Sequence, residues 1–502
     1  MTIRESLTTL PEPTPEERAH SARVEQALRA AIHTAGGFLS FAQFMRLALY
    51  APGLGYYRAG STKIGAAGDF VTAPALSTLF GRCVARQCAE VLAQTGGDIL
   101  ELGAGSGALA ETVLAELRQL GALPERYRIL EVSADFVARQ RERLARLPPE
   151  LASRVEWISR WPHTRMHGVL LANEVLDAMP VERFVVLDAR GGERVVRALG
   201  VGLDADGRLV WRESAPSPEL EALAQAIISD APRPLPEGYV GEICTEVTPW
   251  IAGLAAALER GVALLIDYGL PRWHLYHPDR MHGTLQCHYR HRAHDDPLIH
   301  VGIQDITAWV DFTRVAEAAD AAHLEVLGFV TQAAFLLGNG VQNLLAAAST
   351  ERERRRKALA GDDLEDIARA RVVSALFNEP SVFFRRRVGT RRDVQMRCGG
   401  RWSPGQGARK RAPCALQPSL RRFVRLRRVL TRTLARWRDQ RDLAGHVVEH
   451  GDHGRTDKQC VRRAEWIGRL GWQPLHEAHH VVTQIAEHAR GHRRQVERKI
   501  ER

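Results

Sequence analysis

Apolar and polar positions alternate along the chain with two different periods. Short apolar runs at 98–102, 127–132, 154–158, 168–172 and 262–267 have the length and composition of buried strands. Between them, 108–120 and 134–147 carry apolar residues at helical spacing, and a helix from 76 to about 94 precedes the first run. Strands alternating with helices in this way predict βαβ units around a parallel, Rossmann-like sheet, an α/β fold.

Two insertions interrupt the alternation. Within the first, at about 180–250, the runs 184–188, 194–201 and 208–212 are separated by Gly191-Gly192 and Asp206-Gly207, which predicts a small β-meander. The second, at about 271–312, is rich in His, Asp and Tyr and poor in regular pattern. Long irregular stretches inside a domain usually serve function. Residues 1–20 read as a disordered leader. An N-terminal helical segment follows from residue 22, with Val24, Leu28 and Ile32 on one face, and resumes at 40–49. Tyr50-Ala-Pro-Gly-Leu-Gly-Tyr-Tyr then breaks the helix. No internal repeat is visible.

The net charge of +10 over 502 residues looks like that of a nucleic-acid binder, but it is unevenly placed. Residues 378–502 hold 30 Lys+Arg against 12 Asp+Glu, whereas 1–377 hold 39 against 47, so a mildly acidic body carries a basic tail. Seven cysteines without a C-x-x-C pair give no zinc pattern and no disulfide framework, and a reduced compartment follows. Cys83 and Cys88, on a predicted helix, are read as packing residues. The first residues lack an apolar signal-peptide core, no apolar run reaches membrane-spanning length, and the expected location is cytoplasmic. His288, Tyr289 and His291 match no metal-ligand spacing, so no metal is expected.

Candidate chemistry centres on Asp98-Ile-Leu-Glu-Leu-Gly-Ala-Gly-Ser-Gly-Ala, a buried strand running into a helix. Gly103, Gly105 and Gly107 let the backbone turn tightly and approach a ligand at the positive end of that helix. With Ala108 the string also satisfies a nicotinamide-binding loop, and a bare strand-to-helix turn would look alike. Glu101, two residues before the first glycine, is placed to orient the loop and a ligand's ammonium group. Glu131, after the second strand, can accept both ribose hydroxyls and so indicates a nucleoside without naming it. A pocket with acids and no compensating arginine suits a sulfonium and an ammonium better than a pyrophosphate. Asn173 and Glu174 end the fourth strand, where ligands of open α/β sheets bind. Glu174 and Asp177 could equally be acids opening a helix.

Taken in order, these strings resemble the MidA-type methyltransferases, whose mitochondrial members are complex I assembly factors that methylate an arginine. The resemblance spans roughly 36–348. It rests on Gly55-Tyr-Tyr, Gly68-Asp-Phe-Val-Thr-Ala-Pro, the 101–107 loop, Glu131-Val-Ser, Asn173-Glu-Val-Leu-Asp-Ala-Met-Pro, Ile266-Asp-Tyr-Gly, Gly283-Thr-Leu and Gly302-Ile-Gln-Asp-Ile-Thr with Val310-Asp-Phe-Thr. It implies a class I methyltransferase sheet, S-adenosylmethionine (SAM) as cofactor, and a protein acceptor such as a respiratory complex I subunit. Glu101, Gly103, Gly105, Gly107, Glu131 and Asn173 are expected to hold SAM. Methylating a guanidinium calls for carboxylates that grip its planar fork, and the candidates are Glu174, Asp177, Asp267 and Asp69, with Glu182 nearby in sequence. A methyltransferase acting on another acceptor, a catalytically silent SAM-binding assembly factor, and a nicotinamide oxidoreductase stay open.

The family's expected ending, a Leu-Pro-x-x-Met-Gly turn and a short seventh strand, is not recognisable after the helix expected at 364–376. The domain is therefore drawn as 21–377, followed by a basic tail at 378–502. That tail reads either as an appendage for RNA or membranes, or as out-of-frame translation of a GC-rich gene. Five lysines among 69 basic residues and the abrupt charge change favour the second. The sheet is then expected to have a gap, unless a segment near 381–388 takes the vacant place.

Overall fold

The computed structural model describes residues 10–59, 74, 77–188, 194–231 and 233–347, and the backbone of 380–386. Contacts divide the chain into two units, 1–390 and 391–502, and everything described lies in the first. The expected helix at 364–376 and the tail beyond 390 fall outside the described residues.

The first helix, α1 (Pro15–Thr34), begins earlier than expected. Thr14 accepts from the Glu17 amide while Glu17 reaches back to the Thr14 amide, with Pro15 at the first helical position. The leader reading is therefore corrected over residues 15–20, because Thr14-Pro-Glu-Glu is a capping box. A second capping box, Ser40 with Gln43, starts α2 (Phe41–Tyr50). A single 3-10 turn at Tyr56–Arg58 follows, and α3 (Thr78–Thr95) leads into the sheet.

The sheet then forms from β1 (Asp98–Leu102), α4 (Ala108–Gln119), β2 (Tyr127–Leu130), α5 (Ala134–Leu144), α6 (Pro149–Ala152), β3 (Val155–Ile158) and β4 (Met166–Asn173). The meander comprises β5 (Glu182–Asp188), β6 (Arg194–Leu203) and β7 (Leu209–Ser214). After α7 (Pro218–Asp230), a fourth strand, β8 (Val240–Ile243), pairs with β5. Helix α8 (Val247–Ala257) returns the chain to the main sheet at β9 (Leu258–Ile266).

The second insertion contains more regular structure than its pattern predicted. After β10 (Gly269–Leu270) and α9 (Arg272–Leu275) come β11 (Gln286–Tyr289), β12 (Arg292–His294) and β13 (Asp305–Thr307), which form a three-stranded sheet. The two-residue β14 (Val310–Asp311) pairs with β10, and α10 (Phe312–Ala321), β15 (Leu324–Thr331), α11 (Gln332–Gly338) and β16 (Pro380–Arg386) complete the chain described.

The main sheet has seven strands in the order β15-β16-β9-β4-β1-β2-β3. Its central strands are parallel, and β1 is buried along its whole length because helices cover both faces. One apolar cluster, with α3 and α4, covers one face; another, with α8 and α10, covers the other. Strand β16 runs antiparallel to both neighbours, with Ser381 opposite Ile266 and Val382 opposite Phe329. The expected gap is therefore closed by 380–386, and a domain limit at 377 leaves out a strand of the sheet. Pro380 sits at the strand's first position, where its missing N–H is tolerated.

Helices α1 and α2 pack on the meander through a third cluster containing Phe41, Phe44 and Val201, and Leu39 bridges Val201. The Arg183–Glu242 ion pair, 3.1 Å and largely buried, joins β5 to β8. Thr284 donates its amide to the same carboxylate at 2.7 Å, and a Cβ on Gly283 would lie 2.2 Å from it. The Gly283-Thr284 string thus serves to close the second insertion over Glu242.

Candidate functional site

The glycine loop leaves β1 at the carboxyl edge of the sheet. Gly103, Gly105 and Gly107 all have positive φ, of 63°, 52° and 76°, which side-chain-bearing residues rarely adopt. Gly107 is the residue preceding α4, so the loop delivers backbone N–H groups to the start of that helix. Beneath the loop, Glu101 is 2% exposed and accepts the Tyr127 hydroxyl at 2.7 Å. Burial pushes its carboxyl up to about 7; the Tyr127 hydrogen bond opposes this and the Glu131 charge adds to it.

Glu131 is fixed on both oxygens. Oε1 accepts the Ser133 amide at 2.9 Å and Oε2 accepts Gln140 Nε2 at 3.1 Å. The same Gln140 nitrogen donates to Gly105 O at 2.9 Å, and Trp157 Nε1 donates to Gln140 Oε1 at 2.9 Å. A fully buried amide therefore ties the glycine loop to the acid after β2. Burial raises the Glu131 carboxyl above its ordinary range, against those two hydrogen bonds and a more distant Arg58.

Asn173 and Glu174 lie where β4 ends. Glu174 has φ 51°, an unusual conformation for a residue with a side chain, and its amide donates to Ile266 O at 2.8 Å on β9. Asn173 Nδ2 donates to Glu174 Oε1 at 3.1 Å. The Asn173 Oδ1 atom is buried and has no hydrogen-bond partner.

These groups meet in a cavity of about 260 Å³. Glu101, Gly103, Gly105, Glu131, Asn173 and Glu174 all line it. Gly107 lies just behind, packed near Gln140. Asp69 falls outside the described residues.

Asp177 and Asp267 do not line the cavity. Asp267 is 1% exposed; its Oδ2 accepts the amides of Val175, Leu176 and Asp177 at 3.1, 2.7 and 3.3 Å, and its Oδ1 accepts that of Tyr268 at 2.8 Å. The expectation that it grips the acceptor is corrected: it holds the turn that carries Glu174. Asp177 is a buried member of that turn, its carbonyl accepting the Ala308 amide at 3.0 Å. Glu182 is engaged by Ser40 Oγ at 2.9 Å, on β5.

Sequence reasoning missed the aromatic walls. Tyr50 and Tyr57 stack at 5.4 Å between ring centroids and line one side, and Trp161 and Trp250 line another. The Tyr57 hydroxyl donates to Asp305 Oδ1 and that of Tyr50 to Ala178 O, both at 2.7 Å. Burial and the nearby acids Asp305 and Asp177 push both phenols well above their ordinary range. The Gly55-Tyr-Tyr string carried a signal for Tyr57, and a glutamine between Phe136 and Leu144 on one helix face carried one for Gln140. Cys83 and Cys88 are buried in the core, and burial pushes both thiols up to about 12.

The lining suits an adenosyl sulfonium ligand. Among the described lining residues are three carboxylates and no cationic side chain. A pyrophosphate would meet repulsion there. The sheet order with its antiparallel β16, and the acid-flanked glycine turn, define a class I, Rossmann-like, SAM-dependent methyltransferase. More narrowly, the chain belongs to the family described as "Putative S-adenosyl-L-methionine-dependent methyltransferase", whose profile matches residues 83–330.

Known structures and relatives agree. A crystal structure from Burkholderia thailandensis bound to S-adenosyl-homocysteine is 38% identical over 75% of this chain and 95% of that one, with a TM-score of 0.67. Two curated relatives are each 29% identical. The Drosophila melanogaster "protein arginine methyltransferase NDUFAF7 homolog, mitochondrial" matches over 64% of this chain and 75% of its own length. The Danio rerio "protein arginine methyltransferase NDUFAF7, mitochondrial" matches over 62% and 75%. The cofactor is SAM. No helix among the described residues is long and apolar enough to cross a membrane.

Proposed function

We propose that this methyltransferase modifies an arginine side chain in a protein. The observation that carries this reading is the end of β4, where the Glu174 carboxylate lines a cavity with no cationic lining residue among those described. A guanidinium stays protonated at neutral pH and brings a planar set of N–H donors, so it needs acceptors of this kind. The two relatives from Drosophila melanogaster and Danio rerio, both named as protein arginine methyltransferases, support the same acceptor.

When bound, SAM supplies an electrophilic methyl carbon on a sulfonium. The protein's own groups do the rest. Glu101, beneath the glycine loop, meets the ammonium, the loop amides meet the carboxylate, and Glu131 accepts from the ribose hydroxyls. Glu174 receives N–H groups of the guanidinium, localises nucleophilic character on one nitrogen, and takes the proton that this nitrogen releases. The aromatic walls at Tyr50 and Tyr57 exclude water. This is catalysis mainly by positioning.

The acceptor protein is proposed to be a subunit of respiratory complex I, as the family resemblance implies, and the compartment the cytoplasm, as the sequence implies. The test is a methyl-transfer assay with labelled SAM on matched peptides containing arginine or lysine, and on isolated complex I subunits. Transfer to arginine supports the reading. Transfer to lysine alone, or SAM binding with no transfer to any of these, overturns it.

A further inference from the structure

The second insertion reaches the cavity through Asp305. This residue of β13 is 3% exposed, and its Oδ1 accepts both the Tyr57 hydroxyl at 2.7 Å and the Ile306 amide at 2.9 Å. The strand that carries it is held firmly. His288 of β11 pairs opposite Asp305, and the fully buried Gln304 donates to the carbonyls of Asp296, Pro297 and Ile299 at 3.3, 3.2 and 2.6 Å. A carboxylate 248 positions away in the chain thus fixes a phenol that lines the cavity.

Local chain geometry brings that phenol into the wall. A Cβ on Gly55 would lie 2.4 Å from the Tyr50 backbone nitrogen, so only glycine lets the chain double back there. Tyr57 then stacks on Tyr50 at 5.4 Å with the rings 27° apart, and meets the buried Tyr56 edge-on at 5.0 Å. The stacked pair spans the cavity. Arg58, the next residue, acts on the Glu131 charge at one end, while the Tyr50 hydroxyl donates to Ala178 O beside the Glu174 turn at the other. SAM carries its sulfonium between the ribose, assigned to Glu131, and the methyl it transfers, so the two rings wall the stretch where its charge sits. Burial and the charges of Asp305 and Asp177 keep both phenols protonated, which makes Tyr57 the donor to Asp305. A phenol that donates to a carboxylate has a more electron-rich ring, and such a ring attracts a cation.

We propose that Tyr57 recognises the sulfonium charge of SAM and that Asp305, from the second insertion, is the positioning residue that orients and polarises it. Methyl transfer moves the methyl carbon to the acceptor and leaves the electron pair of the broken S–C bond on sulfur, so the product is a neutral thioether. The wall therefore favours SAM over S-adenosylhomocysteine and loses its hold once the methyl has gone. The proposal rests on the SAM-dependent class and is independent of which acceptor is methylated.

The test measures SAM and S-adenosylhomocysteine affinities by calorimetry and reads their ratio. In Tyr57→Leu, SAM should bind about tenfold more weakly. S-adenosylhomocysteine should stay within about twofold of the unaltered protein, which also shows that the variant is folded. Asp305→Asn keeps the shape and removes the charge, and Tyr57→Phe keeps the ring and removes its donor. Each should lower the SAM preference about threefold. Adding Asp305→Asn to Tyr57→Leu should lower it no further, because Asp305 acts through the ring. Equal losses for both ligands would make the pair a structural prop and overturn the proposal, as would an unchanged preference in Tyr57→Leu. A further fall in the double variant would overturn the positioning role of Asp305. If neither ligand bound the unaltered protein, the adenosyl site itself would fall, and the proposal with it.

Discussion

The Tyr127 hydroxyl donates to Glu101 Oε2 at 2.7 Å in the buried layer beneath the glycine loop. Glu101 has its carboxyl raised to about 7 from an ordinary 4.5, chiefly by burial, so the folded protein holds its proton more tightly than the unfolded chain does. The stability that goes with this proton is fully present below about pH 4.5 and is lost as pH rises through 7. Without ligand, the protein should therefore lose on the order of 3 kcal/mol through this group between pH 5 and pH 8. Denaturant unfolding of the unaltered protein and Glu101→Gln at both pH values isolates the effect, and equal pH dependence in the two would contradict it. Tyr127→Phe removes the donor to the ionised form and should move the transition to higher pH.

The same group should make cofactor binding proton-linked. An ammonium beside Glu101 favours the carboxylate, so S-adenosylhomocysteine binding at pH 6 should release protons and at pH 8 should not. Calorimetry in buffers of different ionisation enthalpy reads the number directly. Proton uptake on binding at pH 6 would be the opposite result.

Asp267 is expected to matter through the turn it holds. Asp267→Ala leaves the amides of Val175, Leu176 and Asp177 without their acceptor, at a cost of about 2–5 kcal/mol to stability. A residue that only touched substrate would lower turnover with little effect on unfolding. Urea titration with a parallel assay distinguishes the two, and an unchanged midpoint would restore the substrate role.

The parts of the fold that show in the sequence are those where burial leaves a strong pattern. The five expected strands of the main sheet all form, and the central ones, β1, β4 and β9, show most clearly because parallel strands covered on both faces become continuous apolar runs. Strand β15, with its mixed burial along Leu324–Thr331, lacks that pattern and was not expected. Strand β16 lies at the onset of the Arg-rich composition, so the segment near 381–388 was read only as a conditional occupant of the vacant place. The site divides in the same way. Glu101 and the glycines are local to one turn and readable from spacing, whereas Tyr50 and Gln140 reach the site only through tertiary packing. Asp267 was misassigned because chain order places an acid at a strand end but does not say whether backbone amides consume it.

Gln140 offers a sharp test of how the loop is held. Its side chain bonds Gly105 O, Glu131 Oε2 and Trp157 Nε1 from a fully buried position. Gln140→Leu keeps the volume but strands the indole N–H and frees both the glycine loop and Glu131. S-adenosylhomocysteine affinity should fall about tenfold and stability by about 1–3 kcal/mol. Affinity equal to that of the unaltered protein would mean that the loop needs no such tie.

The basic tail and the seventh strand can be separated by two truncations. Strand β16 pairs with β9 on one side and β15 on the other, so a chain ending at Phe377 loses both ladders and leaves two open strand edges within the sheet. A chain ending at Thr390 keeps them and lies at the boundary of the first unit. The shorter chain should lose several kcal/mol and tend to aggregate, because two strand pairings in the middle of the sheet disappear together. The longer one should match the full chain in thermal unfolding and in S-adenosylhomocysteine affinity. If ending at Phe377 proved harmless, β16 would not be a working part of the sheet. If ending at Thr390 were as damaging as ending at Phe377, residues 391–502 would be a stabilising element of the protein.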